Sequence, residues 1–125
     1  MDENALSYLV INRAIKVHTD LGPGLLESSY KECLFYELVA AGLKVEKEKA
    51  VPLVYETVKL ECGYRVDLLV EGKLIIETKS VEALNDVHLA QVMTYLRLSE
   101  TKLGLLLNFN VAQMKNGIRR VVNGL

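Results

Sequence analysis

The stretch from Tyr64 to Lys79, YRVDLLVEGKLIIETK, limits what this chain can fold into more than any other. Val66, Leu68, Val70, Leu74 and Ile76 recur with a period of two on either side of Glu71-Gly72. Side chains alternate sides along a strand, so the pattern predicts a hairpin with one face against a core. Arg65, Asp67, Glu77 and Lys79 occupy other positions of the same two strands, and the turn decides whether they point the same way. A two-residue turn sets Asp67 opposite Ile76 and sends it away from Glu77 and Lys79. A three-residue loop from Val70 to Gly72, with Gly72 as a left-handed bulge, sets Asp67 opposite Ile75 and on the side of Glu77 and Lys79. This second register also gathers the five aliphatics on one face, and it is the one expected.

Two carboxylates side by side on neighbouring strands repel, and such a pair is tolerated where a divalent cation or a positive side chain lies between them. Lys79 supplies a positive group there. The spacing Asp67, nine residues, then Glu77-Thr78-Lys79 resembles the sequence core of the PD-(D/E)XK nuclease superfamily. An exposed hairpin face with solvated charges is the plain alternative.

At 125 residues, half of them apolar and a quarter charged, the chain is expected to form one domain over residues 1–125 without disulfides or a structural metal. A net charge of -1 gives no global field for a polyanion, so nucleic acid would need a local patch such as Lys44, Lys47 and Lys49, or Arg119 and Arg120. Cys33 and Cys62 are too few for a zinc site or a disulfide framework and read as reduced thiols, which implies a cytoplasmic setting. The segment MDENALSYLV is acidic where a secretory signal would be basic, and no apolar run is long enough to span a bilayer.

Apolar spacing predicts a first helix from Asn4 to about Asp20, with His18 near its end as a capping or packing residue rather than a metal ligand. Gly22-Pro23-Gly24 breaks the chain before a second helix from about Leu25 to Ala41. Glu27 lies in its first turn beside the apolar face of Leu26, Tyr30, Cys33, Leu34 and Leu38. A carboxylate there is costly to bury unless paired, the helix dipole favours it, and simple capping of the helix is the plain alternative. Gly24-Leu25-Leu26-Glu27-Ser28-Ser29-Tyr30 resembles the motif of the GxxExxY family within the nuclease-like superfamily. The likeness runs on through Asp67, Glu77, Lys79, Gln91 and Tyr95 into the closing LGLLLNFNVAQMKNGIRRVVNGL.

Between Leu43 and Glu61 two strands are expected, with a bend near Pro52 and a turn at Glu56-Thr57, extending the hairpin's sheet. A helix is expected from about Asp86 to Leu98, with Leu84, His88, Gln91 and Tyr95 on one stripe. Thr101 to Asn108 reads as a buried parallel neighbour of the second hairpin strand, and Ile118 to Val122 as a last strand on which Arg119 and Arg120 cannot both face a core.

The order of elements, together with the resemblance, implies an α/β restriction-endonuclease-like three-layer core, a mixed central sheet flanked by helices. By position, the resemblance makes Glu27, Asp67 and Glu77 oxygen ligands of Mg²⁺ or Mn²⁺, with the Thr78 carbonyl completing the shell. It makes Lys79 the assistant to an attacking water, and Gln91 and Tyr95 substrate-positioning residues. The implied reaction is hydrolysis of a phosphodiester in nucleic acid. The rival readings are an enzyme acting on a smaller phosphorylated molecule, and an inactive nuclease-like fold working through protein contacts as a homodimer or in a larger assembly. No membrane partner is expected.

Overall fold

The computed structural model describes residues 1–125. Its first helix, α1 (Glu3–Leu21), starts where the Asp2 carboxylate accepts the Ala5 N–H at 2.8 Å. It stops at Gly22, whose φ of 69° lets its N–H reach the His18 carbonyl at 2.7 Å. The second helix, α2 (Glu27–Ala40), begins two residues later than its apolar pattern suggests, because Leu26 is still extended at the N-cap. Both helices lie on one face of a five-stranded sheet made of β1 (Val45–Ala50), β4 (Arg65–Val70), β5 (Leu74–Lys79), β6 (Leu103–Asn108) and β7 (Ile118–Val122), in the order β1-β4-β5-β6-β7. The third helix, α3 (Asp86–Ser99), covers the other face. Only β5 and β6 run parallel, joined by α3 as the crossover. The three-layer mixed-sheet architecture expected for a restriction-endonuclease-like fold is therefore present.

Two cores follow from this layering. Leu6, Val10, Ala14 and Val17 of α1 and Tyr30, Leu34 and Leu38 of α2 pack on Leu68, Val70, Leu74, Ile76, Leu103, Leu105 and Leu107. Val92, Tyr95 and Leu96 of α3 pack on Val66, Ile75, Leu106 and Val121. With both its faces covered, β6 is buried along its whole length, which is why its sequence is a continuous apolar run rather than an alternating one. Gly104 lets α3 sit close, since a Cβ there would lie 2.7 Å from a Val92 methyl.

Three expectations need correction. The hairpin pairs Leu68 with Ile76 and Val70 with Leu74, so the loop is Glu71-Gly72-Lys73 and Asp67 lies level with Glu77 rather than Ile75. Glu71 and Gly72 both take left-handed backbone, φ 53° and 64°. The cause is tertiary: the Glu71 N–H donates to the Lys44 carbonyl at 2.8 Å, and the Glu71 carboxylate accepts the Lys44 N–H at 2.6 Å. Second, Val66 does not join the other four aliphatics but packs on the α3 side. The alternation slips at Asp67, where the partner strand β1 has Glu48 at φ 51° and leaves those two residues unpaired, with the same register on either side of the gap. Third, the region before the hairpin holds three strands. β1 extends the sheet, but β2 (Leu53–Tyr55) and β3 (Val58–Leu60) form their own two-stranded sheet beyond Pro52.

Candidate functional site

The hairpin ladder ends at Leu68 and Ile76, and beyond it side chains replace backbone pairing. The Asp67 N–H donates to Glu77 Oε1 at 3.0 Å. In return Asp67 Oδ2 accepts both the Thr78 N–H at 2.8 Å and the Thr78 hydroxyl at 2.9 Å. These exchanges hold the two acids together at the open end of the strands. One oxygen of each, Asp67 Oδ1 and Glu77 Oε2, is left with no protein hydrogen bond, and no buried side-chain polar atom in the protein lacks a partner.

Glu77 is only 5 % exposed. Burial first, and the Asp67 charge second, push its carboxyl up to about 8, against the opposing effects of the Asp67 N–H and the Lys79 charge. Near neutral pH Glu77 thus holds a proton. Below that value the pair carries a single negative charge, and a cation placed between the two acids would favour loss of the Glu77 proton.

Glu27, the first residue of α2, is exposed. It faces Asp67 across a cavity of about 240 Å³ lined by Glu27, Ser28, Lys31, Asp67 and Thr78, without one apolar residue. The structure brings Asp67 and Glu77 into contact and sets Glu27 at the rim, but no three His, Cys, Asp or Glu residues close into a group that could hold a metal ion. Lys31 was not singled out from the sequence. Its spacing of four from Glu27, which puts both on one helix face, was the available signal. Its ammonium pairs with Glu48 at 3.1 Å, and that hydrogen bond raises its pKa, assisted by the Asp67 charge and opposed by burial.

Lys79 is half-buried at the end of β5, two residues from Glu77 and paired with Asn108. Tyr95 is buried, and desolvation followed by the Glu77 charge raises its pKa, so it stands as a neutral phenol near the acids. With exposed Gln91 it lines a separate hollow of about 250 Å³ together with Leu53, Tyr64, Thr94 and Leu98. Tyr64 is a further neighbour that the sequence did not mark, its ring centroid 6.4 Å from that of Tyr95. His88, on the same stripe, belongs to the helix rather than the site. It forms a capping box with Asn85, the backbone N–H of each donating to the other's side chain. His18 likewise is structural, buried with Nε2 2.7 Å from the Val111 carbonyl.

The basic patches are largely spoken for. Lys47 pairs with Glu32 at 2.7 Å and lies over the Phe35 ring, and Lys49 pairs with Glu46 at 3.1 Å. Arg119 bonds backbone carbonyls of its own segment, and Arg120 bonds Asn4 of α1.

The donor chemistry fits a hard divalent cation. Asp67 and Glu77 each offer an oxygen with no protein hydrogen bond, Glu27 lines a cavity together with Asp67, and neither imidazole nor thiol lines that cavity to favour zinc. No helix of the protein is long and apolar enough to cross a membrane. A family model for the PD-(D/E)XK nuclease superfamily matches residues 4–121. Among curated proteins and among solved structures, nothing matches the chain.

Proposed function

The chain belongs to the PD-(D/E)XK nuclease superfamily, and on that premise we propose that it is a nuclease dependent on Mg²⁺ or Mn²⁺, its active site at the splayed end of β4 and β5. The observation behind this reading is the buried Glu77 held against Asp67, whose N–H it accepts at 3.0 Å, with burial first and the Asp67 charge second raising its carboxyl to about 8. Such a pair is costly in a purely structural role and useful where a cation takes the proton's place. Within the superfamily, the run Gly24 to Tyr30 favours the GxxExxY proteins.

Asp67 and Glu77 would hold the cation, with Glu27 as the third acid and the Thr78 carbonyl beside them. When bound, the cation offsets negative charge growing on the phosphate oxygens. Lys79 orients the attacking water and adds positive charge where the phosphorus becomes crowded. Gln91 and Tyr95 steer the nucleic-acid strand past the acids. Residues 1–125 act as one nuclease-like domain, in a reducing cytoplasm where Cys33 and Cys62 stay as thiols.

Two observations favour a second reading, an inactive module working through protein contacts, as a homodimer or in a larger assembly. The acids do not close into a three-residue group, while the β2–β3 hairpin exposes Val54, Tyr55, Val58 and Leu60. Calorimetric titration of wild type and Lys79→Ala with Mn²⁺, beside cleavage of fluorescent DNA and RNA, separates the two. The nuclease reading expects both proteins to bind Mn²⁺ and the variant to cleave at least about 100-fold more slowly. Binding without cleavage by wild type rules out a nuclease, and no binding leaves the module.

A further inference from the structure

Of the motif that begins at Gly24, only Glu27 has a place in the chemistry above, and Tyr30 has none. Tyr30 is fully buried, its ring stacked on Phe109 with centroids 4.5 Å apart and planes 6° from parallel. Its hydroxyl is fully used: it donates to the Gly22 carbonyl at 2.6 Å and accepts the Leu25 N–H at 3.1 Å. Leu25 is gripped from the other side as well, since its carbonyl accepts the Ser80 hydroxyl at 2.8 Å. Ser80 directly follows Lys79, and the Lys79 carbonyl accepts the Phe109 N–H at 3.0 Å. The contacts make a closed circuit: Lys79 to Phe109, Phe109 to Tyr30, Tyr30 to Leu25, Leu25 to Ser80.

That circuit matters because α2 has no side-chain cap at its start. Its N-cap, Leu26, has no side chain able to accept a helix N–H, and the loop before it passes through Gly22 and Gly24 with φ of 69° and 98°. Left alone, such a helix end would fray, and the exposed Glu27 would fray with it. Resting on the proposed role of Glu27 as the third acid, we propose that Tyr30 is a positioning residue. Acting through Leu25, it locks the first turn of α2 to the end of β5, so that Glu27 is held facing Asp67 and Glu77.

Tyr30→Phe tests this, because it keeps the stacked ring and removes only the hydroxyl, whose two partners lie at an accessible loop. Ser80→Ala releases the opposite side of Leu25 without touching the core. Mn²⁺ affinity is measured by calorimetry well below the melting temperature, and amide exchange over residues 22–29 is measured without metal. Groups that orient a ligand cost about 10- to 100-fold in metal affinity when removed. The expected result is about a tenfold loss for Tyr30→Phe, a smaller loss for Ser80→Ala, and faster exchange in the loop. Neither substitution should weaken binding further in a Glu27→Gln background. A buried tyrosine with only a packing role would lower the melting temperature and leave Mn²⁺ affinity alone. Wild-type affinity in Tyr30→Phe, or a loss that persists in full beside Glu27→Gln, overturns the proposal. If wild type takes up no Mn²⁺, the metal reading of the site falls and the role of Tyr30 toward Glu27 falls with it. The exchange data then still show whether the clamp exists.

Discussion

Glu77→Gln should stabilise the metal-free protein while disabling it, and the gain should grow with pH. The unfolded chain loses the Glu77 proton near 4.5, whereas in the folded protein burial and Asp67 hold it to about 8. A carboxyl whose folded pKa is raised contributes stability below the unfolded value and loses it as pH rises toward the folded one. Across the whole interval that loss approaches roughly 5 kcal/mol, and between pH 5 and pH 8 it is roughly 3–4 kcal/mol. Glutamine keeps the acceptor that the Asp67 N–H uses at 3.0 Å and has no proton to lose. In urea unfolding with EDTA, the variant should therefore lie within about 1 kcal/mol of wild type at pH 5 and exceed it by roughly 3–4 kcal/mol at pH 8. In thermal unfolding at pH 8 the gap is on the order of 10 °C. A gap that stays constant with pH, or a variant less stable than wild type at pH 8, would refute the account of Glu77 as a strained, proton-holding acid.

Two further substitutions probe the same architecture. Asp67→Ala strips the Thr78 N–H and hydroxyl of their acceptor, costing about 1–3 kcal/mol in urea unfolding. It also removes the like charge beside Glu77, so the Glu77 carboxyl should titrate lower in an NMR pH series, and an unmoved titration would break that link. Gly117→Ala puts a methyl 2.0 Å from the Asn108 carbonyl oxygen and 3.2 Å from Val111, at the turn that returns the chain to β7. Forcing that turn open should cost about 1–3 kcal/mol or more, and an unchanged melting temperature would mean the approach is less tight than it stands.

Much of the architecture could be read from local pattern, because local pattern is what burial imprints on a strand or helix. The three helices fall within about two residues of their expected bounds, β6 announces itself as an unbroken apolar run, and β7 spans Ile118–Val122 as expected. That Asp67 and Glu77 come together was legible too, although what joins them is side-chain hydrogen bonding beyond the end of the ladder. The register itself was not. It depends on Glu71 meeting Lys44, twenty-seven positions away, a contact with no periodic signature.

What the sequence by itself determined is the list of elements and the chemical kinds of group available at the hairpin's open end: two acids, a lysine, and a third acid at a helix start. Tertiary structure alone decided which oxygens stay free, that Val66 turns to the α3 side, that β2 and β3 leave the main sheet, and that Lys31 and Tyr30 stand behind Glu27. The physical reason is range. Periodicity records which side of an element is buried, whereas a proton held near pH 8 or a helix end locked through Leu25 arises from groups that meet only after distant segments pack together.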